Sequence, residues 1–486
     1  MSSAEGLQGI EPYGQIFTPE LVTQSTTTFT LPNLAKKGAR FVRLTWVDLT
    51  NIIRCRVIPI RAFEKLLLSK RPGVGIAKAG FGLVGVACAP GFDSTGEYLY
   101  VPDLLSIRPC GYTDGHISIM GHFMEKLLEG RSSYQTALCP RTKLSNVVND
   151  ARAAGVAFLI GIETEFILLK STDPVVPVHT APWSTTAALK NGAPETQCLE
   201  EIVESLEAAG IEVLMYHAEA APGQYEIVTA PLPPLEAADA VVHTRETIYA
   251  TAAKYGLRAT LAPRLFAESC GSAAHAHISV HRTAEAPTRT LPAHPDTNHS
   301  TTLTPLERSF LQALLMHLPS IAAVTLPTRP SYGRVQDGVW SGGTYASWGT
   351  ENREALVRLS GPPGAHHFEV RSHDGTANPY LALAAILGAG MKGIQESVEL
   401  SVQECVVPAA SLSEEERRRR GVNRRMPLSL EEARGKMRES AVVKEIFGEE
   451  FVSKYLSVNE SIVKFMEKWM TADSEAKAEH NLISTF

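Results

Sequence analysis

The 486-residue chain carries 46 basic and 52 acidic side chains, for a net charge of −6. At roughly 150 residues per domain that length allows two or three domains, and a core of this size needs no disulfide or metal staple. The hydrophobic and charged shares, 44% and 20%, exclude a disordered chain, and the acidic balance argues against general nucleic-acid binding, which needs a concentrated positive surface.

Seven scattered cysteines form no CxxC pair, which excludes a zinc framework and fits a reducing, cytoplasmic compartment. The N-terminus lacks a basic region followed by an apolar one, so no secretory signal is expected. The most apolar stretch, residues 381–391, is about half the length that a bilayer requires and contains Gly388 and Gly390. No membrane partner is expected.

In chain order, residues 1–36 are polar and turn-rich and read as a poorly ordered leader. Residues 41–60 read as two short strands joined by a turn near Asp48-Leu49-Thr50-Asn51. Residues 37–135 as a whole, rich in glycine, proline and short strand-like runs, read as a β-grasp-like N-terminal domain. From residue 136 the texture changes. A helical run over 144–154 stops at Gly155 before an apolar strand, a second over 199–209 stops at Gly210 before residues 211–215, and a third over 235–255 stops at Gly256. Helix, glycine cap and strand, three times over, predict helices packed on one face of a sheet in an α+β domain over 136–486.

Residues 281–304, rich in proline, threonine and histidine, read as a surface loop. Residues 414–420 run Glu-Glu-Glu-Arg-Arg-Arg-Arg. Opposite charges at i, i+4 make this a solvated helix in preference to a nucleic-acid patch.

The chemistry begins at Gly161-Ile162-Glu163-Thr164-Glu165-Phe166. With a period of two, Glu163 and Glu165 point to one face of a strand, roughly 6–7 Å apart. Like charges on an apolar strand are costly unless something positive lies between them. Glu219 and Glu226 follow at the end of another strand, His275 and His277 alternate in a third, and Glu369 and Arg371 in a fourth. Five carboxylates and a histidine on strands or strand ends point to divalent cations, and hard oxygen donors suit Mg²⁺ or Mn²⁺ better than Zn²⁺. Arg334, Arg353, Arg358 and Arg371 lie within one 40-residue stretch. Forked guanidinium donors around such a site suit phosphoryl transfer from a nucleotide, and no glycine-rich phosphate loop is present. These features indicate a metal-dependent, ATP-using enzyme without naming its reaction.

Taken together, the segments around 161–166, 221–227, 271–279, 352–353 and 369–385 resemble the glutamine synthetase family, its type I-like branch, over about residues 36–470. The resemblance implies a β-grasp domain, a catalytic domain built on a curved antiparallel sheet funnel with helices outside, and a homo-oligomeric ring with active sites between subunits. It implies that Glu165, Glu219 and Glu226 bind one metal and that Glu163, His275 and Glu369 bind a second, with two or three Mg²⁺ or Mn²⁺ ions per site. Arg353 and Arg358 would face the transferred phosphate of ATP, and Arg334 and Arg371 would hold the acid substrate, glutamate or a similar acid. Gly271 and Ser341 would border the acid and amine pocket, His277 and Ser279 would lie beside the nucleotide, and Asp48 would be offered by a neighbouring subunit to the incoming amine. Asn378-Pro379 fits a helix start.

The chain departs from the family pattern at the amine end. Where glutamine-forming members carry a flap glutamate that takes a proton from ammonium, this chain has Ser341, with Asp337 four residues earlier as a conceivable substitute. Cys270 and Pro330 also depart from the pattern near the expected pocket. The expectation is therefore an ATP-dependent carboxylate–amine ligase that γ-glutamylates an amine larger than ammonia. Glutamine synthesis proper and a non-catalytic ring-forming role are the alternatives.

Overall fold

The computed structural model describes residues 29–127, 133–284, 302–467, 482–483 and 485–486. Of the expected leader, residues 1–28 lie outside the described residues, while Leu31–Lys36 form a short helix capped by Thr30. Most of the expected 281–304 loop, residues 285–301, also lies outside them.

Phe41–Val47 and Ile53–Pro59 pair antiparallel as expected. They belong to a four-stranded sheet in which Phe41–Val47 also runs parallel to His116–Ile119, with Arg108–Pro109 at the far edge. A three-stranded sheet of Val74–Ala77, Glu97–Pro102 and Gly121–Glu125 packs beside it. Between them Tyr100, Phe81 and Trp46 surround the Phe123 ring, with centroids 4.5–5.8 Å away. Edge-to-face aromatic packing of this kind adds to the burial of the rings.

The larger part centres on a nine-stranded sheet. Its order is Val213–Ala218, Gln224–Thr229, Val156–Thr172, Ala274–Arg282, His367–Val370, Val357–Ser360 and Trp348–Thr350. Val175–Pro177 and Arg258–Thr260 pair with the far half of Val156–Thr172. An all-antiparallel sheet was expected, but the sheet is mixed. Trp348–Thr350 runs parallel to Val357–Ser360, because the six residues between them double back through Glu351, which has a left-handed φ of 52°.

The three repeated glycines close helices Pro140–Ala153, Pro194–Ala208 and Pro234–Lys254, with φ values of 76°, 70° and 70°. After Gly210 the N–H of Ile211 donates to the Leu206 carbonyl at 2.9 Å. Ile211 therefore belongs to the helix closure, and the strand starts at Val213 rather than at 211.

Helices Pro305–Thr325 and Pro379–Glu396 form the buried layer. The first opens with a capping box between Thr304 and Glu307. The second opens with the Asn378 side chain accepting from the N–H groups of Tyr380 and Leu381. Gly390 lies against the Phe310 ring and Gly393 against the Ser309 carbonyl, so a Cβ at either would overlap the facing helix. Gly390 within the apolar stretch and Gly393 just beyond it thus permit close packing of two helices. Among the described residues, no helix is long and apolar enough to cross a membrane. The acidic–basic run forms the exposed helix Glu414–Arg419, with Arg418 2.7 Å from Glu414.

Candidate active site

The long strand Val156–Thr172 sets the register of the site. Glu165 lies opposite Glu226 on one side, and Glu163 lies opposite His275 on the other. Beyond them His217 lies opposite Glu226, His277 opposite Glu369, and Glu369 opposite Arg358. Directly opposed residues in an antiparallel pair have Cβ atoms about 5 Å apart. Residues scattered between Glu163 and Glu369 in the sequence thus become crosswise rows on one face, around a cavity of about 820 Å³.

Within it, His275 Nδ1 is 2.9 Å from Glu163 Oε2 and 3.5 Å from Glu369 Oε1. His277 Nε2 is 2.9 Å from Glu163 Oε1. His217 Nε2 lies 3.2 Å from Glu226 Oε1, with its Nδ1 3.8 Å from Glu219. Three groups hold their donor atoms within 4.8 Å of one another: Glu163, His277 and Glu369; Glu163, Glu226 and His275; His217, Glu219 and Glu226. Five of the six expected ligands fall into these groups. Glu165 stands beside them, its Oε2 accepting from Ala273 N at 2.8 Å and Gln224 Nε2 at 3.1 Å. The sequence reading missed His217, whose alternation with Glu219 at the end of one strand was the available signal.

The electrostatics fit a cation site. Burial, then Glu226 and Glu219, push the Glu165 carboxyl well above the usual carboxylate range. Burial also raises Glu226, against the opposing hydrogen bond from His217. That bond to Glu226 lifts His217 to about 9, against the effect of its own burial. Burial and Arg371 press His275 down to about 4, which keeps its imidazole neutral as a ligand requires. Its Nε2 is buried without a hydrogen-bond partner among the described residues. Crowded carboxylates with neutral imidazole nitrogen make a donor set suited to a hard or borderline divalent ion.

Glu369 is fully buried. Burial would raise its carboxyl, but Arg371, His275 and His277 prevail and hold it low. Arg358 Nη1 donates to its Oε2 at 2.7 Å, and Arg371 Nη1 donates to its Oε1. Arg358 also donates to Glu351. Arg334 is buried, donating to the carbonyls of His373 and Arg371 at 3.4 and 3.3 Å. Arg353 is exposed on the cavity wall and has no side-chain partner among the described residues. Gly271 lies so close to Arg334 and to the Pro263 carbonyl that a Cβ would clash with both. Its own carbonyl accepts from Gln224.

Two expected residues lie away from the cavity. Ser279 sits two positions beyond His277 on the same strand, its hydroxyl 2.8 Å from His281 Nε2, and does not line the cavity. Asp48 is buried in its own loop, accepting from Thr50 N, Thr50 Oγ1 and Ile52 N on one oxygen and from Arg54 Nε at 2.8 Å on the other. Of the other divergent positions, Cys270 lines the cavity and Pro330 does not.

The loop carrying Ser341 forms one wall. Ser341 donates to the Val339 carbonyl at 3.3 Å. Asp337, read from sequence as a conceivable base, points away: its carboxylate accepts from Thr344 N and Thr344 Oγ1 at 2.8 and 2.9 Å, and it is not among the lining residues. Glu354 does line the wall, accepting from Gly338 N at 2.9 Å and Trp340 N at 2.5 Å.

Residues 137–476 match the family model described as glutamine synthetase, catalytic domain. The chain belongs to the glutamine synthetase family. That family comprises ATP- and divalent-metal-dependent ligases that join glutamate to an amine. The chain is 34% identical over 429 residues to protein fluG of Emericella nidulans, covering 87% of this chain but 46% of fluG, so it spans about half the length of that relative. It is 29% identical to the gamma-glutamylpolyamine synthetase GlnA3 of Streptomyces coelicolor, covering 85% of this chain and 88% of that one. In fold it is similar to the solved GmaS/ADP complex, with a TM-score of 0.75 at 24% identity over 93% of this chain and 99% of that one.

Proposed function

We infer that the protein uses ATP to activate a side-chain carboxylate, most simply that of glutamate, and joins it to an amine larger than ammonia. One contrast carries this reading. The acidic and basic groups suited to phosphoryl transfer converge on Glu163 and Glu369, whereas the loop wall offers Ser341 where a carboxylate base is needed to deprotonate ammonium. Similarity to a gamma-glutamylpolyamine synthetase supports the same choice.

Glu163, His275 and Glu369, with Glu165, Glu219 and Glu226, would hold the divalent ions, which when bound supply positive charge beside the phosphoryl oxygens. The chain's own part is positional and electrostatic. Arg353 and Arg358 neutralise charge on the transferring phosphoryl group, and Arg334 and Arg371 orient the acid. His277 borders the nucleotide, with Ser279 further along the same strand. The carboxylate oxygen attacks the γ-phosphorus and ADP leaves. The amine nitrogen then attacks the acyl phosphate, forming the amide and releasing phosphate.

Asp48 is buried in its own loop and does not line its own chain's cavity, so a role for that loop at the amine would require a second copy in a ring. Seven free cysteines suit a cytoplasmic setting. The test is phosphate release and product mass with ATP, Mg²⁺ or Mn²⁺, glutamate and a panel of amines that includes ammonium. Glutamine as the main product would defeat the reading.

A further inference from the structure

The cavity is charged at its floor, and its exposed rim carries a group of apolar side chains beside Glu351 and Arg353. Trp183 and Trp340, 63% and 65% exposed, both line it, together with Met215, Val339 and Val406. Indole rings left in water forgo a large burial gain, so two of them on one cavity point to an apolar, planar occupant. Neither is loosely placed. Trp183 Nε1 donates to Glu219 Oε1 at 3.4 Å. Trp340 has a left-handed φ of 57°, and its backbone is gripped on both sides, its N–H by Glu354 and its carbonyl by Arg371 Nη2 at 2.6 Å. A strained backbone held from two directions is a feature of ligand-contacting loops.

Among the described residues, the Ser341 wall offers no free carboxylate: Ser341 is a hydroxyl and Glu354 is engaged by two backbone N–H groups, while Asp337 and Asp48, both outside this cavity, are engaged within their own loops. An alkylammonium ion has no lone pair until a proton leaves, so it needs a base there. An amine whose lone pair is delocalised into an aromatic ring is neutral at physiological pH and needs none.

We propose that the acceptor is a weakly basic aromatic amine, its ring lying against Trp183 and Trp340 and its nitrogen directed past Ser341 toward the acyl phosphate. This rests on the ligase reading above and narrows it. In the second step the C–N bond forms as the carbonyl–phosphate C–O bond breaks. The departing phosphate takes the electron pair, and the nitrogen releases its proton to it or to water. The products are the γ-glutamyl arylamide, ADP and phosphate.

The experiment uses the full chain with ATP, Mn²⁺ and glutamate, and compares aniline, 1,4-diaminobutane, ammonium and hydroxylamine, the last as a trap for the acyl phosphate. The expected result is γ-glutamylanilide by mass, at a rate flat through neutral and mildly alkaline pH. W183A and W340A should each raise KM for aniline severalfold more than KM for hydroxylamine, and W183F and W340F should restore it. An adduct of diaminobutane or ammonium with none of aniline overturns the aromatic class and leaves the ligase standing. Failure to form the hydroxamate or any adduct overturns both. Formation of the anilide with KM unmoved by either alanine substitution overturns the role given to the tryptophans.

Discussion

The carboxylate of Glu354 accepts the backbone N–H of Trp340 at 2.5 Å, and Arg371, which donates to the carbonyl of the same residue, also grips Glu369. The position of the Ser341 wall is thereby tied to the buried carboxylate of Glu369 on the cavity floor. Glu354→Ala removes two charge-assisted bonds that hold this wall, each worth about 1.5–3 kcal/mol. Loss of one such bond's worth of positioning at the transition state should lower amide formation by about one to two orders of magnitude, on the usual conversion of about 1.4 kcal/mol per factor of ten. The melting shift produced by an ATP analogue should persist. Steady-state kinetics and thermal unfolding of one preparation check both.

Ser341→Glu returns a carboxylate to the wall. Glutamine formation from ammonium should rise and activity with larger amines should fall. Measuring product mass with mixed amines reads both at once, and no change in either would show that this position does not face the acceptor.

Crowding of Glu165 with Glu226 and Glu219 predicts opposite effects of one substitution. Glu165→Gln should leave the metal-free protein as stable or more so, since it removes a repelled buried charge. It should also shrink the rise in melting temperature caused by Mn²⁺. A ligand at a hundred times its Kd stabilises by about 2.7 kcal/mol, and a tenfold weaker affinity removes about 1.4 kcal/mol of that. Thermal scans with and without Mn²⁺, and after chelation, measure each term.

Arg141 joins the smaller sheets to the catalytic part. It donates to both oxygens of Asp239 at 3.0 and 2.8 Å and to Asp103 at 2.8 Å, while Tyr380 donates to Asp239 at 2.7 Å. Arg141→Met would strand a buried carboxylate, at a cost of about 3–5 kcal/mol. A lowered urea midpoint is the readout.

His243, fully buried with Nδ1 3.1 Å from Ser118 Oγ, is pressed down to about 3 by burial and by Arg108. Its folded value lies below the unfolded value of 6.5, so the unfolded chain takes up the proton first. Stability should fall as pH drops below about 6.5, with a slope approaching about 1.4 kcal/mol per pH unit from this group. His243→Gln should flatten the acid side of the melting curve while changing little above neutrality.

The acidic strand Gly161–Phe166 and the alternating His275 and His277 were legible because period-two charge in an apolar run has few structural uses. The three glycine-closed helices were legible because a left-handed closure admits few other residues. His217 was not, since one more polar residue near a strand end is common and its role depends on the cross-strand register with Glu226. Nor were Glu354 and Trp340: their meeting is made by a loop conformation, and loops carry no periodicity. The parallel edge pair was hidden for the same reason, being created by a reversal at Glu351.

The seventeen-residue strand Val156–Thr172 acts as a ruler for the whole centre. Because its neighbours take their places by pairing with it, one residue inserted between Glu163 and Glu165 would turn one of them, and every later pairing, to the opposite face. The tryptophans and Ser341 hang on loops outside that count. On the ligase reading proposed above, acceptor preference can therefore drift through loop substitutions while the strand-borne carboxylates and histidines stay fixed. The molecule is divided into a part that cannot change length and a part that can change trade.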